Sequence, residues 1–246
     1  MIRNVFAALA VLTLAAASPV SAKNNKTPGG DPCGSGHGRG TGNPCNGNNG
    51  NDGANGNSGG HGGTINEIPK PDGFDSGAYI VQIGATNSAR IEQSRSTHYA
   101  RIIQRGEDNK ATADQSGSGV QFAELSQKGT ENDARIIQRG DGENVLYMSQ
   151  KGNFNTALVD QNEGGVTYNA AVVSQDGNGN DLVLNQDGSD NQASLTQDGN
   201  ANAMTAVQLG DANRLSWSQT GHGLSDLAIE QTGGAVVQIS QTNGGR

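Results

Sequence analysis

The chain has 246 residues, a formal net charge of -8 and 32% hydrophobic residues, and it carries 38 glycines, 27 asparagines and 18 glutamines. Four phenylalanines, four tyrosines and one tryptophan are too few for the thick core of a compact enzyme of this length. The acidic balance argues against a nucleic-acid binder, which carries a basic face. Disorder, low complexity or a repeat architecture remain.

Residues 1–22 read as a secretory signal peptide. Arg3 supplies the positive start, Val5 to Ala17 form the apolar run, Ser18-Pro19 breaks it, and Val20-Ser21-Ala22 offers small residues for cleavage. Roughly 13 apolar residues fall short of the ~20 that span a bilayer, and no later segment is apolar enough. The mature chain is therefore expected to be secreted, with no membrane span.

Residues 23–75 are dominated by Gly, Asn and Pro, and hold five of the six prolines. Such a composition buries too little apolar surface to offset its ordering entropy, so a disordered leader is expected. Both cysteines, Cys33 and Cys45, lie here with His37 between them. Thiolate and imidazole suit zinc or copper, an oxidising compartment suits a disulfide, and two idle thiols fit equally. The spacing matches no familiar zinc pattern, so no metal or cofactor is assigned.

From Ser76 onward the sequence repeats. Glutamines recur as Gln82, Gln93, Gln104, Gln115, Gln127, Gln138, Gln150, Gln161, Gln175, Gln186, Gln197, Gln208, Gln219, Gln231 and Gln241, nine of the fourteen spacings being 11 residues. A glycine follows two positions later in twelve of the fifteen, the exceptions being Arg95, Glu163 and Asn243. Two and four positions before each glutamine the residue is always apolar, as in Ala100 and Ile102 or Ala193 and Leu195. Six positions before it, asparagine recurs as Asn87, Asn109, Asn132, Asn144, Asn155, Asn169, Asn180, Asn191, Asn202 and Asn213. The intervening residues are mainly polar.

Alternation with period two marks a strand with one buried face. Each unit therefore reads as a strand ending at its glutamine, followed by a Gln-x-Gly-x-x-Asn turn whose residues tolerate left-handed backbone. About fifteen short strands, none able to bury its face alone, imply a stacked solenoid. The expected fold is all-β: a two-sheet parallel β-solenoid over 76–241, with two strands per rung and a short tail at 242–246. Identical amides repeating at one depth form side-chain ladders between layers, which makes the fifteen glutamines, with Asn87, Asn109, Asn132, Asn155, Asn180, Asn191, Asn202 and Asn213, the candidate self-assembly residues.

The end strands carry no obvious capping repeat, so unpaired backbone groups at either end invite another copy. A head-to-tail contact that does not close gives an open filament. Charge is uneven: residues 76–151 hold nine Lys/Arg and nine Asp/Glu, whereas 152–246 hold two and ten. Asp176, Asp187 and Asp198, each just after a ladder glutamine, are candidate gatekeepers, because stacked like charges repel and slow premature assembly. The bland alternative is a set of solvated turns.

The unit resembles the curlin repeat of bacterial curli fibre subunits, Ser-x5-Gln-x-Gly-x2-Asn-x-Ala-x3-Gln. Ser76, Gln82, Gly84, Asn87, Ala89 and Gln93 fit every fixed position, and the units at His98–Gln115 and Asn180–Gln197 fit all but the first. The resemblance covers 76–241. It implies a functional amyloid, a homopolymer exported through an outer-membrane curli secretion pore, templated by a nucleator, and forming extracellular cell-surface fibres for adhesion and biofilm. Asparagine mostly replaces the leading serine, and there are more rungs than the five of the best-known subunits. A minor nucleator of the same fibre and a monomeric surface adhesin are the alternatives. No convergent set of acids, bases or metal ligands suggests an enzyme.

Overall fold

The structure, a computed structural model, describes Leu12, Thr13, Ile65 and residues 67–243. Two parallel sheets face each other. The even-numbered strands form one, in the order Gly77–Ile83 (β2), Tyr99–Glu107 (β4), Gln121–Thr130 (β6), Glu143–Asn153 (β8), Tyr168–Asp176 (β10), Gln192–Asn200 (β12), Arg214–His222 (β14) and Val236–Thr242 (β16). The odd sheet runs Ser88–Gln93 (β3), Lys110–Gln115 (β5), Asp133–Gly140 (β7), Thr156–Glu163 (β9), Asp181–Asp187 (β11), Ala203–Leu209 (β13) and Ile229–Thr232 (β15). Beyond β15 lies a two-residue strand, Leu12–Thr13 (β1). The fifteen strands from β2 to β16 make the β-solenoid that the periodicity predicts.

Register follows from the repeat. Every glutamine lies on the glutamine of the next layer, as in Gln104 on Gln127, Gln115 on Gln138 and Gln186 on Gln208. A slip of one residue would turn each apolar pair outward. In β4 the buried residues are Ala100, Ile102 and Gln104, and the same three positions are buried from β5 through β14, whereas Leu227, expected inward by its offset, lies before β15 and is 42% exposed. The interior is thus one continuous column of alanine and larger apolar side chains, of which Trp217 is the largest fully buried. Length variation sits in the turns. The longest spacing, Gln161 to Gln175, loops out through Val166, which is fully exposed, while β10 still pairs in register with β8 and β12.

The strands do not all end at their glutamine. In the even sheet β4, β6 and β8 continue three residues further. The turns themselves stack, with the amide of Glu131 donating to Glu107 at 3.0 Å and that of Phe154 to Thr130 at 3.0 Å. The turn glycines carry the alignment. Gly106, Gly129 and Gly152 have φ of 120°, 129° and 112°, and a Cβ on any of them would lie within about 2 Å of the next layer's carbonyl oxygen. Glycine is needed here for space as well as for backbone conformation. Two residues on, Asp108, Glu131 and Phe154 adopt left-handed φ of 53°, 54° and 59° with side chains pointing outward.

The end of the leader departs from expectation. Residues 67–76, placed in or beside a disordered segment by composition, run along the outer face of the even sheet. Ile68 is buried with Phe122, Val145 and Ala170, and Phe74 packs against Phe122 at a centroid distance of 5.1 Å. The outward residues five before each ladder glutamine in β4, β6, β8 and β10 are Tyr99, Phe122, Val145 and Ala170, an apolar stripe that this strap covers. Ile68 donates its amide to Gln192 Oε1 at 2.7 Å, Tyr168 Oη donates to Ile68 O at 3.0 Å, and Lys70 pairs with Glu143 at 2.7 Å. Apart from Leu12–Thr13, the segment read as a signal peptide lies outside the described residues. So do Cys33, Cys45 and 244–246.

Candidate functional site

The glutamines of the repeat point inward at the end of each strand's buried face, one layer apart. Each Nε2 donates to the Oε1 of the glutamine two strands later. In the even sheet the chain of bonds runs Gln82, Gln104, Gln127, Gln150, Gln175, Gln197, Gln219 and Gln241, at 2.7–3.0 Å. In the odd sheet it runs Gln93, Gln115, Gln138, Gln161, Gln186, Gln208 and Gln231, at 2.7–2.8 Å. The second Nε2 hydrogen reaches a backbone carbonyl, as Gln138 does to Phe122 O at 2.9 Å. A buried primary amide needs both donors and its acceptor satisfied, and stacking identical residues achieves that.

The asparagines do the same with the opposite sense. Asn109, Asn132 and Asn155 each donate Nδ2 to the Oδ1 of the asparagine one layer earlier, at 2.9 Å, and to a glycine carbonyl of the next layer, at 2.8 Å. Asn180 and Asn202 extend this column through backbone amides that donate to Oδ1 of Asn155 and Asn180, at 3.0 and 3.1 Å. Asn191 and Asn213 sit in the second column, at the other turn, where Asn213 Nδ2 reaches Asn191 Oδ1 at 2.9 Å. Glutamine oxygens therefore face the N-terminal end of the stack and asparagine oxygens the C-terminal end.

Among the described residues the ladders are open at their ends. No strand lies beyond β2, β3 or β16, and Gln82 and Gln93 accept no bond at Oε1. At the other end Gln241 Nε2 donates to Ser225 O at 3.3 Å. The inward-facing Ile80 of β2 is 44% exposed because no layer covers it.

The three candidate gatekeepers do not form one cluster. Asp176 and Asp198 stack on each other in the even sheet, below which Lys151 pairs with Asp176 at 2.7 Å. Asp187 lies in the odd sheet and accepts a bond from Asn162 at 2.9 Å.

Several buried polar residues escaped the repeat-based reading. Gln121 takes the asparagine position in β6 and accepts a bond from Asn144 at 2.6 Å. Gln192 lies outward on β12 beneath the strap. Both are glutamines off the eleven-residue spacing, which is the signal that marks them. His98, also at an asparagine position, is buried with neither ring nitrogen bonded, and burial lowers its pKa, with Arg95 adding to the shift.

Glu163 replaces a turn glycine and is buried. Its Oε1 accepts bonds from Gly165 N at 2.9 Å and Ser189 Oγ at 2.8 Å, while Oε2 has no partner. Burial pushes its carboxyl above the usual range against the pull of those two bonds. Burial raises Asp160 and Asp181 too. A carboxyl raised in the folded state favours folding when protonated, and that contribution is lost as pH rises through the folded value. Solenoid stability is therefore expected to increase as pH falls from 7 toward about 4, near the unperturbed carboxyl range. Glu163→Gln should flatten part of this slope and raise stability at neutral pH. Urea midpoints measured from pH 4 to 8 check it, and identical profiles for both chains would refute the role of Glu163.

No family model, curated protein or solved structure matches the chain.

Proposed function

We propose that the chain is a structural subunit of extracellular curli-like amyloid fibres. It polymerises by adding solenoid to solenoid, is secreted through an outer-membrane pore, grows from a nucleator, and serves adhesion and biofilm matrix. The observation that carries this reading is the pair of open ends. Layers β2 and β3 offer free backbone edges, two amide oxygens without donors and a half-exposed isoleucine, and β16 offers the complementary edge. Unprotected flat edges template further strands, and a repeat stack gains its energy from neighbour contacts that another copy supplies equally well.

Purified residues 23–246 provide the test. Thioflavin-T fluorescence should rise after a lag that preformed fibres abolish, and aligned fibres should give the ~4.7–4.8 Å meridional reflection of stacked strands. A chain that stays dispersed at high concentration with and without seeds would overturn the proposal and leave the monomeric adhesin.

A further inference from the structure

Resting on that fibre reading, we infer that successive copies are rotated by half a turn about the stack axis, so that β2 of one copy seats on β15 of the previous one and β3 on β16. The reason is the odd strand number. From β2 to β16 the even sheet has eight strands and the odd sheet seven. A copy added in the same orientation would lay its β2 on β16 but leave its β3 two spacings, ~9.6 Å, above β15. That vacancy would strand two rows of backbone groups and break one glutamine ladder at every junction, at the cost of unsatisfied buried polar groups.

Half a turn removes the vacancy. The chain runs out along one sheet and returns along the other, so strands in the two sheets point in opposite directions. Rotation about the axis exchanges the sheets and reverses their directions together, which keeps every new pairing parallel. The contacts then match in register along β16 and over the four residues of β15, Ile229–Thr232. Gln82 meets Gln231 and Ile80 meets Ile229 on one side, and Gln93 meets Gln241 and Ile91 meets Ile239 on the other. The free oxygens of Gln82 and Gln93 face the C-terminal layers of the previous copy, and Ile80 loses its exposure.

The position above β15 already accepts a parallel strand: β1 pairs there, with Leu12 on Ile229 and Thr13 on Glu230. β1 belongs to the segment read as an export signal, so cleavage vacates the place that β2 of the next copy takes. The aromatic outer face of the even sheet, with Tyr79, Tyr99 and Tyr147, then alternates sides along the fibre.

Disulfide trapping distinguishes the two arrangements in the mature chain with Cys33 and Cys45 replaced by serine. Neighbouring strands place opposed Cα atoms ~4.8 Å apart, inside the range a disulfide bridges. Ser240→Cys with Glu92→Cys puts the thiols opposite each other only after half a turn, and Ser240→Cys with Val81→Cys only without it. Oxidised fibres of the first pair should run as covalent multimer ladders on non-reducing gels, and those of the second should remain monomers. Cryo-electron microscopy of wild-type fibres should show copies half a turn apart with a rise of ~36 Å, seven and a half layers at the strand spacing. Ladders from the second pair, or wild-type fibres with every even sheet on one side, would overturn the junction while leaving the fibre reading intact. Failure of the wild-type chain to polymerise overturns both.

Discussion

Alanine in place of Gly129 is expected to cost the solenoid about 4 kcal/mol or more, the range reserved for severe backbone and packing lesions. The added Cβ would lie 1.9 Å from the carbonyl oxygen of Gly152 at a φ of 129°. Neither strand can retreat, because β6 and β8 are paired along their whole length and Gly129 sits opposite Gly152 in that ladder. Gly179 provides the control. It is also left-handed, at a φ of 65°, but a Cβ there meets nothing within 4 Å. Ala201 already occupies the equivalent place one rung later in the even sheet. Gly179→Ala should therefore cost only the ~1–2 kcal/mol of a left-handed alanine. Urea unfolding followed by circular dichroism, at concentrations below assembly, compares the two. Equal losses would mean that conformation, rather than the close approach of layers, explains the glycine column.

The second large effect is expected at Gln150. Its Oε1 accepts from Gln127 at 2.8 Å, and its Nε2 donates to Gln175 at 2.8 Å and to the carbonyls of Asp133 and Asn155 at 3.2 Å. Gln150→Ala removes these bonds and leaves buried partners unpaired in a site without water access. At about 1 kcal/mol per bond, with more for each stranded group, the loss should reach ~3–5 kcal/mol. A stack couples only through neighbours, so a lesion in its middle divides it into two short halves. Gln82→Ala is the informative comparison. Gln82 makes one ladder bond, to Gln104 at 2.7 Å, and its oxygen is free. The isolated chain should lose only about 1 kcal/mol, while fibre elongation should slow markedly. Equal effects of Gln82→Ala and Gln150→Ala on monomer stability would contradict the ladder as described.

The strands, their inward faces and their register were legible because the same constraint is written fifteen times. Any single unit, such as Lys110–Gln115, is a weak strand signal, but its glutamine and its two inward apolar positions recur at fixed offsets in all the others, and Asn109 before it recurs in most. What escaped was what does not recur. The strap from Glu67 to Ser76 has no periodicity, and its two apolar anchors, Ile68 and Phe74, stand among Pro, Gly and Asp. Its docking surface consists of outward residues, Tyr99, Phe122 and Val145, which an alternating pattern assigns to solvent. Glu163 looked like an ordinary exception in a turn, yet the bulge of the longest loop folds its side chain inward beside Ser189. The continuation of even strands beyond the glutamine was missed for a related reason. Residues after the glutamine vary in type, and only stacking of their backbones, layer on layer, makes them strand. The glycines two after the glutamine read as turn residues in sequence, whereas Gly106, Gly129 and Gly152 lie within β4, β6 and β8, and their steric role appears only when the neighbouring layer is in place.

The opposed orientation of the two amide columns bears on how long such an assembly can grow. Parallel strands contribute little net dipole, so side-chain amides aligned along the axis would otherwise add their moments with every layer, as peptide groups do in an α-helix. Here the glutamines are partly countered by asparagines pointing the other way, ten of them set against fifteen. The field at a growing tip therefore builds up less with each added layer than unopposed glutamine columns would make it.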